Sequence, residues 1–244
     1  MIIDLFNQYI LKIIFMLSYK NIINSAFLMD SYPLYNEAFE NVLLELFDVI
    51  NLYKVTNAKD ICLEKFSNID SQITIIDIEN LQSADIRFLI KLRLHHSKMK
   101  IIINSSRGDP IFKKICFLIG VDGLISKTAN RNEIKEFLLG VMQFSNFKSN
   151  EFKLKQLNYT DHIASPKYIK MQLTKRELET LYFLLQGKLN TEIAINMGVG
   201  VSTIKAHMVS IFRKFGIHNR TGVVSECLEV VQSNSDVNWM NRKP

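Results

Sequence analysis

Cysteine is scarce in this sequence: the 244 residues include three, Cys62, Cys116 and Cys227. They lie far apart, without a Cys-x-x-Cys pair and without a histidine at the spacing of a metal ligand. That distribution argues against a zinc site and against a disulfide framework. It is typical of proteins from a reducing compartment, so we expect a cytoplasmic protein.

Long hydrophobic runs are absent as well. The most apolar segment, residues 1–20, is interrupted by Asp4, Lys12 and Lys20, whereas a membrane-spanning helix needs about 20 consecutive apolar residues. No small-residue cleavage site follows, which argues against a signal peptide. We therefore expect no membrane partner. Three interpretations of the segment remain: an amphipathic helix that packs on a partner, a surface anchor, or translation that begins at Met16.

The sequence also lacks the residue patterns of an enzyme. It contains no paired acid and base and no nucleophile constellation, so we expect no catalytic residues. We find no internal repeat. The length suits two domains, and the apolar fraction of 48% is ordinary for a folded protein.

Positive charge is present in excess, and it is concentrated in one region. The net charge is +6. Nine basic and three acidic residues lie between Ser165 and Ser225, and elsewhere basic and acidic residues are equal in number. This quarter of the chain therefore holds the whole excess. A basic surface confined to one domain is expected of a protein that binds a polyanion such as nucleic acid.

Short apolar runs alternate with helical patterns in the N-terminal part of the chain. They predict buried strands at 26–29, 73–76, 101–103 and 123–126, and a weaker strand at 52–55. Helices are predicted at 33–50, 58–66, 84–95, 110–119 and 131–144. Ser31 is the expected cap of the first helix, and Asn130 with Glu133 resembles a capping box on the last. This order predicts an α/β fold with a five-stranded, doubly wound parallel sheet.

A compact set of helices is predicted at the C-terminal end. Thr174 and Glu177 form a capping box for a helix that ends at Gly187, and Asn190 is the expected cap of a short helix at 191–197. Gly198 ends that helix, a longer one follows at 201–215, and the last spans 221–231. Two helices joined by a glycine-containing turn are typical of a helix-turn-helix, here in a small all-α domain.

The domain boundaries follow from these patterns. We expect an apolar N-terminal extension at 1–23, an α/β domain at 24–144 and a helix-turn-helix domain at 172–233. The segment between them, 145–171, is polar, rich in lysine and without clear periodicity. These properties are typical of an interdomain linker.

The helix at 201–215 has two distinct faces. One is an apolar stripe expected to face the core: Ile204, Met208, Ile211 and Phe215. The other is small at its centre and basic at its edges: Ser202, Lys205, Ala206, Val209 and Arg213. Such a face suits the major groove of double-stranded DNA, because small side chains allow close approach while lysine and arginine contact bases or phosphates. An ordinary amphipathic surface helix has the same periodicity.

Sixteen residues of this region match a known pattern in fixed register over about fifty residues. They are Leu173, Thr174, Arg176, Glu177, Gly187, Asn190, Glu192, Ile193, Ala194, Thr203, Ile204, Lys205, His207, Lys214, Gly216 and Arg220. The region therefore resembles the DNA-binding domain of LuxR/NarL-type (FixJ-like) response regulators, which are bacterial transcription regulators. The resemblance implies that Lys205, Ala206 and Val209 contact the groove and that Thr203 and Lys188 lie near phosphates. Gly200 replaces the usual serine cap, and Val209 stands where a polar or basic residue is frequent.

Residues 24–144 resemble the receiver domain of response regulators, less strongly. The matching segments are residues 27–34 after the first strand, residues 75–78 around Asp77, and residues 120–127 with the pattern Gly-x-x-Gly-x-x-x-Lys. The resemblance implies that Asp77 is the phosphoacceptor and that Asp30, Ser105 and Lys127 belong to the same pocket. Asp77, Ser105 and Lys127 match the groups that accept, bind and neutralise the phosphoryl group.

Some parts of the receiver pattern are missing. Ser31 stands where the second acid of the metal-binding pair is usual, Leu124 replaces the common switch aromatic, and no proline follows Asp77. Since Mg²⁺ is held mainly by carboxylates, we expect a degenerate receiver without a resident cofactor and a regulator that does not depend on phosphorylation. We expect RNA polymerase and a second subunit as further partners.

Three alternatives remain open at this point. The protein could be a co-regulator that pairs with an intact response regulator, giving a heterodimer in place of a homodimer. It could respond to cyclic di-GMP, although the sequence has no arginine-rich motif that would form such a site. A phosphotransfer role without DNA binding is opposed by the intact C-terminal pattern.

Overall fold

The computed structural model describes residues 22–56, 71–77, 85–106, 110–143 and 171–232. The apolar segment at 1–20, the helix predicted at 58–66 and nearly all of the expected linker lie outside the described residues. So does Cys62. The described residues form a parallel sheet flanked by helices, followed by a bundle of short helices.

The N-terminal sheet has five strands in the order β2-β1-β3-β4-β5, and every neighbouring pair is parallel. The strands are β1 (Ile22–Met29), β2 (Asp48–Val55), β3 (Ile73–Asp77), β4 (Lys100–Ser105) and β5 (Gly123–Ser126). All five residues of β3 are buried, as expected for a strand covered on both faces. The predicted sheet is confirmed, although β1 begins four residues before the predicted start.

The first helix and β2 differ from the prediction. Helix α1 (Pro33–Leu46) is shorter than predicted, because Phe47 has extended backbone angles and the next eight residues form β2. Val49 pairs with Ile23 of β1, and Phe47 is almost completely buried. The helical prediction for residues 47–50 was wrong. Periodicity alone does not distinguish a helix end from an edge strand, and pairing with β1 decides between them.

Helices cover both faces of the sheet. Those within the described ranges are α1, α2 (Asp85–His95), α3 (Pro110–Leu118) and α4 (Arg131–Gln143). Phe39 of α1 and Phe137 of α4 belong to one buried cluster, whereas Leu89 of α2 and Phe112 of α3 belong to another. This arrangement confirms the doubly wound fold.

One of the two predicted caps in this domain is present. Asn130 Oδ1 accepts a hydrogen bond from the Glu133 N–H at 3.1 Å, and the Glu133 carboxylate accepts one from the Asn130 N–H at 2.7 Å. The cap predicted at Ser31 was wrong. Tyr32 is the N-cap residue and makes no side-chain cap, while the Ser31 hydroxyl donates to Asp77 Oδ2 at 3.4 Å.

In the described part of the C-terminal domain four helices follow one another: α5 (Lys175–Leu185), α6 (Asn190–Met197), α7 (Val201–Phe215) and α8 (Arg220–Gln232). The capping box of Thr174 and Glu177 is present, and Gly198 and Gly216 end α6 and α7 at φ of 64° and 66°. Asn190 was predicted as a cap but is the first residue of α6. Leu189 is the cap residue, and its N–H donates to the Glu192 carboxylate at 2.6 Å.

Candidate nucleic-acid interface

Helix α7 presents its two predicted faces as expected. Ile204, Met208, Ile211 and Phe215 are buried in the core. On the other side Ser202, Thr203, Lys205, Ala206, Val209 and Arg213 are exposed. Val209, at the centre of this side, is 67% exposed. The structure therefore brings every helix residue predicted to contact DNA onto one open surface, which we call the α7 face.

Lys188 lies in the turn between α5 and α6 and is partly buried. Its ammonium is 5.3 Å from the centroid of the Phe183 ring and 3.4 Å from Asn196 Oδ1. An ammonium over an aromatic ring is attracted to the ring face. These contacts place the Lys188 ammonium beside α6.

The receiver-like pocket is occupied by its own lysine. The Lys127 ammonium lies 3.0 Å from Asp77 Oδ2 and 3.5 Å from Asp30 Oδ2, and all three side chains are at least nine-tenths buried. The rings of Tyr32 and Tyr35 lie over the same ammonium, with centroids at 5.0 and 4.6 Å. The structure thus brings Asp30, Asp77 and Lys127 together as predicted.

Further polar contacts hold Asp30 in this pocket. The Asn104 side chain donates to Asp30 Oδ2 at 3.2 Å, and the Tyr32 N–H donates to Oδ1 at 2.9 Å. Burial raises the pKa of the Asp30 carboxyl, and the nearby Asp77 carboxylate raises it further. Ser105 is buried at the end of β4, and its carbonyl oxygen accepts the Lys127 N–H at 3.3 Å.

The C-terminal domain matches a known protein family. Residues 171–227 match the family described as bacterial regulatory proteins, luxR family. The chain carries a LuxR-type DNA-binding domain of transcription regulators.

Known proteins similar to this chain extend the likeness over both domains. The Fimbriae Z protein of Salmonella typhimurium is 26% identical over 197 residues, covering 80% of this chain and 91% of that protein. The DNA-binding transcriptional activator EvgA of Escherichia coli K12 is 24% identical over 190 residues, covering 78% and 90%. The probable transcriptional regulator ycf29 of Cyanophora paradoxa is 28% identical over 159 residues, covering 64% and 75%. None of these names describes an enzyme.

Among solved structures, RcsB from Salmonella enterica serovar Typhimurium bound to promoter rprA has a TM-score of 0.45 and 16% sequence identity. The match covers 84% of this chain and 98% of that chain. Across the ranges that the structure describes, no helix is both long and apolar enough to cross a membrane.

A buried ion pair holds α7 of the LuxR-type domain against α5. The Lys214 ammonium donates to the Glu177 carboxylate at 2.6 Å and to the Gln172 carbonyl oxygen at 2.9 Å. Burial acts to raise the pKa of Glu177, but the hydrogen bonds from Lys214, Ser210 and Thr174 outweigh it and lower the pKa to about 2. Lys214 therefore orients α7 from within the domain, while Lys205 and Arg213 project from the α7 face.

Arg220 fixes the turn that contains Lys188. Its guanidinium donates to the carbonyl oxygens of Leu184 at 3.2 Å and Lys188 at 2.7 Å. The sequence pattern includes Arg220 but assigns it no role. Tyr32, Tyr35 and Asn104 were missed in the receiver-like pocket. Tyr32 lies in the matching segment 27–34, but the resemblance gave it no role, and Tyr35 and Asn104 lie outside the matching segments.

The donor set of the receiver-like pocket does not fit a Mg²⁺ site. Magnesium favours six oxygen ligands and usually binds through carboxylates and water. Here two carboxylates face one buried ammonium, and Ser31 contributes a hydroxyl in place of a third acid. Within the described parts of the chain, no group of three or more His, Cys, Asp or Glu residues is placed to hold a metal.

Proposed function

We propose that this LuxR-type transcription regulator inserts α7 into the major groove of double-stranded DNA without prior phosphorylation of its receiver-like domain. The observation that supports groove binding is the open α7 face on an otherwise packed helix. A helix of this width fits the major groove, and the N-terminal residues of such recognition helices contact base edges.

Each exposed residue has a role suited to its chemistry. Lys205 donates hydrogen bonds to base edges, and Ala206 and Val209 make apolar contacts at the centre of the face. Ser202, Thr203 and Arg213 at the edges of the face contact phosphates, as does Lys188 from the neighbouring turn. Phosphate contacts fix the position of the domain on DNA, whereas base contacts select the sequence.

Independence from phosphorylation is supported by the ion pair between Lys127 and Asp77. Phosphorylation of Asp77 would replace its carboxylate by a more negative acyl phosphate next to Asp30, and in the described pocket a single ammonium, that of Lys127, would face it. A divalent cation normally supplies that neutralisation in phosphoryl transfer, and the donor set here does not fit one. The receiver-like domain then serves a structural purpose.

We infer that two subunits bind each operator, because one helix-turn-helix buries little area and rarely achieves sufficient specificity in a genome. Half-sites about one helical turn apart would place two α7 helices on the same side of the duplex. RNA polymerase would be the further partner of a DNA-bound regulator. The scattered cysteines, of which Cys116 and Cys227 are buried in the structure, fit a cytoplasmic location.

A genome-wide map of bound DNA tests the proposal when three forms of the full chain are compared. The parent and Asp77→Ala should occupy the same sites, and Lys205→Ala should lose them. If Asp77→Ala lost the sites while Mg²⁺ and a small phosphodonor labelled Asp77 stoichiometrically in the parent, phosphorylation independence would be wrong.

A further inference from the structure

The two domains contact each other through a defined surface. On the receiver-like side it consists of α2 and α3, and on the LuxR-type side of α5, α8 and the end of α7. Lys114 of α3 pairs with Glu226 of α8, with the ammonium 3.2 Å from Oε2. The two residues are 112 positions apart, and their side chains are 30% and 22% exposed. Partly buried pairs are less screened by salt than fully exposed ones.

A backbone hydrogen bond joins the domains beside this ion pair. The Leu173 N–H donates to the carbonyl oxygen of Leu118 at 2.8 Å. Leu118 is the last residue of α3, and the last four carbonyl oxygens of a helix have no partner within that helix. Leu173 is buried and directly precedes the capping box of α5. The first residues of the LuxR-type domain thus complete the end of a receiver-like helix.

Apolar packing accompanies the polar contacts. Buried side chains of α2 and α3 belong to the same continuous cluster as the core of the LuxR-type domain. The Lys91 ammonium of α2 lies 5.2 Å from the centroid of the Tyr182 ring. A cavity of about 100 Å³ remains between Ile86, Arg87, Leu185, Cys227 and Leu228. It is smaller than the usual ligand pocket of at least about 300 Å³, so this surface is a packed interface.

The interface and the DNA-binding surface lie at different parts of α7. The receiver-like domain approaches α7 at its C-terminal end, where the Lys114 ammonium is 5.9 Å from the centroid of the Phe215 ring. Lys205 lies about 15 Å away along the axis at 1.5 Å per residue. The α7 face remains exposed in the presence of the contact, so the docked domain does not cover the α7 face.

We propose that α2 and α3 form a docking surface for the chain's own LuxR-type domain, and that docking leaves α7 able to bind DNA. The receiver-like domain then supports the LuxR-type domain and does not inhibit it. The same contact covers the flank of α8 around Glu226 and Cys227, which is therefore unavailable to a second subunit while the domains are docked. This inference rests on the proposed function where it states that α7 binds DNA.

Charge reversal at the interdomain ion pair tests the docking surface. The single variants Lys114→Glu and Glu226→Lys place like charges together, and the double variant restores an opposite pair. Hydrogen exchange of the full chain should show amides of α3 and α8 exchanging about tenfold faster in each single variant, with recovery in the double variant. Lys113→Glu, the adjacent lysine on α3, is the matched control.

Operator binding by the same proteins shows whether docking inhibits DNA binding or leaves it unchanged. We expect both single variants to bind within about twofold of the parent at matched salt, because the contact lies away from the α7 face. A rise of tenfold or more would mean that docking inhibits binding and would overturn the inference. Exchange rates equal to those of Lys113→Glu would also overturn it. If the parent did not bind DNA, the proposed function would fail while the exchange result still decided the docking.

Discussion

The two domains use buried acid and base pairs in opposite ways. In the LuxR-type domain the Glu177–Lys214 pair joins α5 to α7 from the inside, and the α7 face remains exposed to solvent. In the receiver-like domain Lys127 is directed inward to Asp30 and Asp77. The first arrangement leaves charged groups for a partner. The second pairs its charged groups with one another.

This contrast indicates which domain meets an external ligand. Desolvating a charge costs free energy, which is regained only when the charge is paired. Lys205 and Arg213 remain hydrated and can exchange water for phosphate or base contacts, whereas Lys127 has already lost its water and has two carboxylates beside it. We therefore expect the substitutions with the largest functional effects in the LuxR-type domain.

Loss of the internal pair of the LuxR-type domain should have the largest effect. Glu177→Gln removes the charge that pairs with Lys214 and should lower the free energy of unfolding by about 1.5 to 3 kcal/mol. Glu179→Gln is the matched control, because Glu179 pairs with the exposed Arg176 on the same helix and such pairs contribute about 1 kcal/mol or less. Urea unfolding of both variants measures the difference.

The same glutamate predicts a pH dependence. Its pKa is about 2 in the folded protein against 4.5 for the ordinary group, so the folded state holds the proton less tightly than the unfolded state. The resulting stability is fully present above pH 4.5 and is lost as the pH falls toward 2. Glu177→Gln should lack this part of the acid dependence. Equal acid unfolding curves for the variant and its parent would contradict the assignment.

The next largest effect is expected from substitutions in the α7 face, which should weaken DNA binding. Lys205→Ala should cost about 1 to 3 kcal/mol of binding free energy at the specific operator if the lysine contacts a base. Fluorescence anisotropy at matched salt, with specific and unrelated duplexes, measures this cost. Lys113→Ala removes the same charge from the receiver-like domain and should leave specific binding unchanged.

Lys188 provides the contrast between base and phosphate contacts. Lys188→Ala should weaken binding to both duplexes equally and reduce the slope of log K against log salt by about 1. Lys205→Ala should reduce discrimination between the duplexes. If both variants behaved alike, the division of this surface into base and phosphate contacts would be wrong.

Much of the LuxR-type domain could be predicted from sequence because its helices follow local rules. Residues 201–215 were predicted as a helix with Gly216 after it, and α7 has those bounds. The apolar stripe and the exposed α7 face also follow from the periodicity of an α-helix. Asn190 was predicted as the cap because asparagine is a common N-cap residue. The cap lies one residue earlier, at Leu189, where the Glu192 carboxylate accepts the backbone N–H.

The receiver-like domain was harder to predict because its decisive contacts are distant in sequence. The register that pairs Ile23 with Val49 determines where α1 ends, and no local pattern encodes it. The Tyr32 and Tyr35 rings contact an ammonium more than ninety positions away. Likewise, Lys114 and Glu226 belong to different domains. Residue types indicate what such groups can do, whereas only the fold shows what they contact.

The smallest expected effect concerns one methyl group at the centre of the α7 face. Val209 is 67% exposed beside Ala206, and an apolar side chain in the major groove can contact the C5-methyl group of thymine. Replacing each operator thymine by deoxyuridine removes only that methyl group. At one position per half-site this should cost the parent about 0.8 kcal/mol of binding free energy, the value of a buried methylene.

Val209→Ser should lose the sensitivity at that position, and Ser202→Ala should keep it. If no thymine position were sensitive in the parent while Lys205→Ala still weakened binding, the groove assignment would hold for Lys205 and fail for Val209.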